Sequence, residues 1–228
     1  MEQDSPLIQV DNVHKSFLMG REAVQALRGV TLDVMRGEII CLMGPSGSGK
    51  TTLLNIIGGL EEPSRGHVLV DGENVVALPE DKLSEMRLTR MGFVFQSYNL
   101  LANFTARENI EVPLALAGVN RRQRRAKVEQ LLESVGLADR AQHYPSELSG
   151  GQQQRVAIAR ALANDPPILI GDEITGDLDS ETGFEVMEIV ARLNREQGTT
   201  VVYVTHDPRM AKFAGRVIQL RDGKILEP

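Results

Sequence analysis

Two stretches hold the residues best suited to chemistry: "GPSGSGKT", Gly44 to Thr51, and "ILIGDEITGDLDS", Ile168 to Ser180. The first has the spacing G-x-x-x-x-G-K-[ST]. Gly44, Gly47 and Gly49 let the backbone curl with Pro45, Ser46 and Ser48 between them, so that successive N–H groups point at an anion. Lys50 then reaches the β- and γ-phosphates of a nucleotide, and the Thr51 hydroxyl, with Thr52 beside it, is offered to Mg²⁺. The competing explanation is a glycine-rich turn that happens to contain a lysine. The flanks speak against it, because the strand-like "IICLM" precedes the loop and the helical "TLLNIIGGL" follows it.

In the second stretch three aliphatic residues and a glycine run straight into Asp172, Glu173, Asp177 and Asp179. Unpaired carboxylates beside a core repel one another and lose hydration, so the cluster needs a positive partner. A phosphate loop of this type requires a second strand ending in Asp to hold Mg²⁺. Asp172 fits that role, and Glu173 is expected to project from the other side of the strand end and polarise a water. On this reading one magnesium-nucleotide makes the whole acidic cluster tolerable. No N-K-x-D stretch of the kind that reads guanine occurs, and the loop by itself leaves a small-molecule kinase open.

A second glycine pair stands in "LSGGQQQRVAIARAL", where Ser149, Gly150, Gly151 and Gln152 open a helical pattern. In isolation this is a Ser-capped helix start.

The elements that must position these residues are legible from periodicity. "LIQVDNV", "VTLDV" and "HVLVDG" read as strands near the amino terminus, with Asp71-Gly72 as a turn, and "EIICLMG" reads as a strand buried on both faces. From Tyr98 to Leu162 the pattern is helical: Val128, Leu131, Leu132 and Val135 fall at i, i+3, i+4 and i+7, and Gly136 stops the run. A further helix is expected from Ser149 to Pro166. Strand character returns in "PILIGDE", followed by a helix with Phe184, Met187, Val190 and Ala191 on one face, then "TTVVYVTHD" and a closing pair around Asp222-Gly223. Strands alternating with helices predict an α/β fold with a mostly parallel sheet and an inserted helical lobe.

Bulk properties narrow the class. The 228 residues suit one domain with a smaller lobe inside it, and a net charge of −6 repels nucleic acid, so none is expected as a partner. "RRQRR", Arg121 to Arg125, is expected to be a solvated helix start, with Lys127 pairing with Glu129 and Glu133. The single cysteine, Cys41, rules out an internal disulfide. His14, His67 and His143 lack ligand-like spacing. The acidic start lacks the features of a secretory signal, and no apolar run is long enough to span a bilayer, so work at a membrane is expected to go through a partner.

"GPSGSGKT", "ILIGDE" and Leu-Ser-Gly-Gly-Gln together resemble the nucleotide-binding subunit of ATP-binding cassette (ABC) transporters, from about Ile8 to Leu226. The resemblance implies a P-loop NTPase core with a RecA-like sheet, an N-terminal antiparallel β subdomain and an inserted helical subdomain. The core lobe would cover 1–97 and 160–228, and the helical lobe 98–159. It further implies that Gln96 after "GFVF" contacts Mg²⁺ and that His206 contacts the γ-phosphate. Phe17 would stack on adenine in the place where many relatives have Tyr, and Asp179 belongs to the loop 176–179.

Two copies are expected to pack head to tail, so that Ser149 and Gly151 of one close over ATP held at Lys50 of the other. The segment from Gln96 to Phe104, with Tyr98, Leu100 and Leu101, would meet an integral membrane permease, which places the chain in the cytoplasm on the cytoplasmic face of the cell membrane. "QSYNLLANFTARENIEVPL" and "TGDLDS" are similar to the branch of macrolide exporters, lipoprotein-release and cell-division ATPases. Ile174 stands where relatives usually have Pro, and Asp177 where Asn is common. The rival readings are a non-transport ABC ATPase and a regulatory ATPase of a division or signalling complex.

Overall fold

The computed structural model describes residues 5–20 and 22–226. Its centre is a six-stranded sheet in the order β10-β9-β3-β8-β7-β6. The strands are β3 (Ile39–Met43), β6 (Met91–Phe95), β7 (Ile168–Asp172), β8 (Thr200–Val204), β9 (Arg216–Arg221) and β10 (Lys224–Ile225). All neighbours run parallel except the closing β9–β10 hairpin.

Period-two alternation explains why these strands are apolar throughout. Ile40, Leu42, Ile168, Ile170, Val202 and Val204 face one core. Cys41, Leu169, Val201 and Tyr203 face another. The sheet separates two apolar layers, and each layer recruits a different part of the chain.

The first layer is covered by α1 (Lys50–Ile57) and by an antiparallel sheet in the order β2-β1-β4-β5. Its strands are β1 (Ile8–Met19), β2 (Glu22–Val34), β4 (Arg65–Val70) and β5 (Glu73–Asn74). α2 (Glu80–Arg90) leads from there into β6.

The second layer is covered by α3 (Ala106–Leu116), α4 (Arg121–Ser134), α5 (Gly150–Ala161) and α6 (Ser180–Gln197). Each of these helices starts at a side-chain cap, Thr105, Asn120, Ser149 and Asp179 in turn. Ile110, Leu132, Ile158 and Val186 from them share one cluster with the sheet residues Val94 and Leu169. The helical segment therefore packs on the sheet through the same core rather than through one of its own.

Several details depart from the periodicity. α5 ends at Ala161 with Leu162 as its cap, well before Pro166. Phe184 is exposed and meets Phe213 in a tilted pair, whereas Met187, Val190 and Ala191 are buried as expected. Lys127 reaches across to Asp165 at 2.5 Å instead of pairing with Glu129 or Glu133; Glu129 is taken by Arg125 at 3.1 Å and Arg107 at 3.5 Å.

α5 crosses β6 so closely that a Cβ on Gly92 would lie 2.3 Å from the Ala161 carbonyl oxygen. Because the oxygen belongs to backbone and the Cβ position is fixed by the strand, Gly92→Ala is expected to cost about 1–3 kcal/mol through forced separation of helix and strand. A lower urea midpoint at unchanged m-value is the measurement that checks it.

Candidate functional site

The glycine-rich loop turns between β3 and α1 under tight constraints. Gly44 has φ 153°, and a Cβ there would fall 2.0 Å from the Leu220 carbonyl oxygen. Gly49, at φ 101°, caps α1 and approaches the Ala26 carbonyl, which a Cβ would meet at 2.5 Å. Neither position admits a side chain, so the loop geometry is written into these two residues.

Lys50 is 7% exposed, and its ammonium donates to the carbonyls of Gly44 and Pro45, both at 2.9 Å. An ammonium has three protons, so one remains for an acceptor beyond the loop. The Ser48 hydroxyl is buried and has no hydrogen-bond partner among the described residues. The first-turn amides of α1 also lack intrahelical acceptors. A buried cation, an orphaned hydroxyl and free amides around one loop fit a phosphate.

Asp172 ends β7, and the Thr51 hydroxyl donates to its Oδ1 at 3.0 Å, joining the loop to the acidic strand end. Burial pushes the Asp172 carboxyl above its ordinary pKa, and the neighbouring Glu173 charge adds to that. The Thr51 hydrogen bond and the Lys50 charge pull the other way without cancelling it. A carboxylate short of positive compensation beside a hydroxyl is an oxygen donor pair suited to a hard cation. Among the described residues no group of three or more His, Cys, Asp or Glu could hold a metal ion. The donor set thus fits Mg²⁺, which keeps several waters and takes few protein ligands, better than a caged ion.

Glu173 follows at φ 49°, and its Oε2 lies 3.1 Å from His206 Nδ1. Phe17, Ser46, Gly47, Gly49, Lys50, Thr51, Thr52, Glu173 and His206 all line one cleft of about 680 Å³. The Lys15 ammonium sits 4.9 Å from the Phe17 ring centroid. A cavity of about 720 Å³ between α4 and α6, lined by Glu133, Arg155, Glu188 and Arg192, contains none of these residues.

Other expected site residues lie outside this cleft. The Gln96 amide donates to Asp177 Oδ1 at 2.7 Å and makes no hydrogen bond to Thr51 or Asp172. Asp179 accepts from the Glu181 and Thr182 amides, both at 3.1 Å, as the α6 cap. Ser149 and Gln152 form a reciprocal cap on α5, with Gly150 and Gly151 in its first turn.

The acidic run is consequently not one cluster awaiting one cation. Asp172 is bonded to Thr51, Glu173 faces His206, Asp177 holds Gln96 and Asp179 caps a helix. Each of the four acids has a local partner of its own.

Sequence reasoning missed the residues that shape the loops around the site. Ala26 lines the cleft. Asn109 is fully buried and bonds to Leu101, Phe104 and Thr105, fixing the turn before α3. Gln154 is fully buried too, and Arg160 holds Tyr98 and Asn99. The signal for Gln154 was its place with Gly151 and Ile158 at i, i+3 and i+7 on a stripe that is otherwise buried. Ile174, unusual in the sequence, is 2% exposed and packs in the second core.

A family model described as "ABC transporter" matches residues 27–176. An uncharacterized ABC transporter ATP-binding protein of Thermotoga maritima is 48% identical over 219 residues, which covers 96% of this chain and 93% of that protein. The macrolide export ATP-binding/permease protein MacB of Escherichia coli is 47% identical over 222 residues, 97% of this chain. The chain spans 34% of the length of MacB. Among solved structures, the dimeric bacterial ABC transporter cassette MJ0796 superposes with a TM-score of 0.89 at 46% identity, covering 96% of this chain and 97% of that one. The same cassette is described in a dimeric post-hydrolysis state bound to ADP and Pi, again with a TM-score of 0.89.

Proposed function

The chain belongs to the ABC transporter family, and from that premise we propose that it binds ATP and hydrolyses it to drive a separate membrane permease. The hydrogen bond from Thr51 to Asp172, 3.0 Å long, ties the acidic strand end to a cleft lined by Lys50, Thr51, Glu173 and His206, and it carries this reading.

Lys50, the Ser48 hydroxyl and the loop amides hold the β- and γ-phosphates, and the Phe17 ring stacks on the base. Glu173 accepts a proton of the attacking water and aims its lone pair, while His206 steadies that carboxylate and contacts the γ-phosphate. Thr51, Asp172 and Gln96 would hold Mg²⁺, which supplies neutralisation of charge on the transferring phosphoryl group. Phosphoryl transfer needs little beyond such positioning and electrostatics.

The second half of the site is proposed to come from another copy. Ser149, Gly150, Gly151, Gln152 and Asp179 lie outside the cleft of a single chain, and a head-to-tail, two-fold pairing would bring them over nucleotide bound at the facing Lys50. The dimeric description of the MJ0796 cassette supports this arrangement.

The permease is proposed to dock on residues 96–104, where the core lobe 1–97 and 160–228 passes into the helical lobe 98–159. Leu101 is 45% and Phe104 40% exposed, and Leu116 nearby is 70% exposed, an apolar surface that a partner would cover. Tyr98 and Leu100 are only partly exposed, and Leu100 packs on the core instead. No helix among the described residues is long and apolar enough to cross a membrane. A place on the cytoplasmic face of the cell membrane, in an export or release system like that of MacB, follows from this reading.

The test is phosphate release by the purified protein supplied with ATP and Mg²⁺. Turnover is expected to fall to background when the metal is chelated and to return on adding Mg²⁺. Undiminished turnover under chelation would remove the metal role of Thr51 and Asp172.

A further inference from the structure

Arg160, in the last turn of α5, is a half-buried guanidinium with no ion pair among the described residues. Burial lowers its pKa, so its charge is held at some cost. Its fork is spent on two successive backbone carbonyls: Nη1 donates to Asn99 O at 2.5 Å and Nη2 to Tyr98 O at 2.9 Å. Both acceptor residues are left-handed, Tyr98 at φ 61° and Asn99 at φ 48°, a backbone that a bulky side chain rarely adopts. A planar two-pronged donor fixes such a turn more rigidly than a point charge does.

Earlier in the same helix, the fully buried Gln154 amide donates to Ile174 O at 2.5 Å and to Phe95 O at 3.4 Å. Its Oε1 has no partner among the described residues. An apolar side chain would remove the orphaned Oε1 but would leave the Ile174 carbonyl without this donor, so the bond that the glutamine donates, and not packing alone, accounts for it here. At the start of α5, the Tyr98 hydroxyl sits 2.8 Å from where a Cβ of Gly150 would be. One helix therefore grips the chain before Gln96, after Gln96 and just beyond Glu173.

We propose that Gln154 and Arg160 are positioning residues that make α5, the Gln96 segment and the turn after Glu173 one mechanical unit. A force applied to residues 98–104 is delivered through it both to the Glu173 carboxylate and to the helix start at Ser149. This rests on the ATPase reading above and assigns to it the route by which permease contact reaches the chemistry.

The test compares full-length wild type with Arg160→Ala, Arg160→Lys and Gln154→Met, by ATPase kinetics and by hydrogen exchange. Arg160→Ala is expected to lower kcat by about 10- to 10²-fold, as for a misplacement of roughly 1 Å. KM for ATP is expected to stay within about twofold, since Arg160 touches nothing in the nucleotide cleft. Arg160→Lys regains part of the loss, because an ammonium can satisfy one of the two carbonyls, and it carries the test if the Ala variant does not fold.

Exchange in Arg160→Ala is expected to quicken at 97–101 and also at 173–176, where Arg160 makes no hydrogen bond. Gln154→Met is expected to quicken the same two segments. Unchanged kcat in folded Arg160→Ala overturns the proposal, as does a loss of kcat and ATP affinity together in proportion to the folded fraction. Faster exchange confined to 97–101 also overturns it. A wild-type protein without turnover would sink the ATPase reading instead, and exchange at 173–176 in the variants would then decide the coupling alone.

Discussion

Glu173→Gln is expected to lower steady-state ATP turnover by about 10²- to 10⁴-fold, the range associated with a general base. The substitution keeps the shape of the side chain and its ability to bond with His206, which lies 3.1 Å away. It also keeps the left-handed backbone at φ 49° under a residue of the same branching, so the fold has no reason to change. What is lost is the charged acceptor for the proton of the attacking water. ATP affinity is expected to be unaltered, because Lys50 and the loop amides are untouched, and the variant should accumulate as an ATP-bound dimer on size exclusion. Turnover like that of the wild type would remove Glu173 from the chemistry.

Lys50→Ala is expected to act on binding itself. The ammonium already donates to two loop carbonyls at 2.9 Å, and Lys50 is the only lysine or arginine among the residues lining the cleft, with one N–H left for a phosphate. A hydrogen bond to a charged group contributes about 1.5–3 kcal/mol, so its loss should weaken ATP binding by about 10- to 10²-fold. Isothermal titration reads this directly, and the ATP-induced rise in Tm should shrink with it. Undiminished affinity in a folded variant would remove the phosphate role of the loop.

The parts of this site that were legible in the sequence are those with no chemical alternative. Gly44 and Gly49 are glycines because backbone oxygens of Leu220 and Ala26 occupy the space of a side chain, and a fixed spacing results. The parallel strands were legible because burial on both faces leaves a continuous apolar run, as in Ile168 to Ile170.

What the sequence hid are pairings decided by tertiary approach. Lys127 has Glu129 and Glu133 two and six positions on, spacings that do not face it on a helix, and it bonds instead to Asp165 on a different segment. Asp177 looked like a member of an acidic cluster, and its partner Gln96 stands 81 positions away. Arg160 and Gln154 read as ordinary helix residues, since their acceptors are main-chain carbonyls that carry no mark in the sequence.

The strand order has one last consequence, for biosynthesis. Between β3, which delivers the phosphate loop, and β7, which delivers Asp172, lies β8, made of Thr200–Val204. A growing polypeptide that has left the ribosome only as far as Asp179 already carries the four acids from Asp172 to Asp179 and every loop glycine, but it lacks the spacer that sets them at the proper distance. Long-range parallel pairing of this kind forms late. Nucleotide capture is thereby expected to wait until the carboxy-terminal strands have emerged.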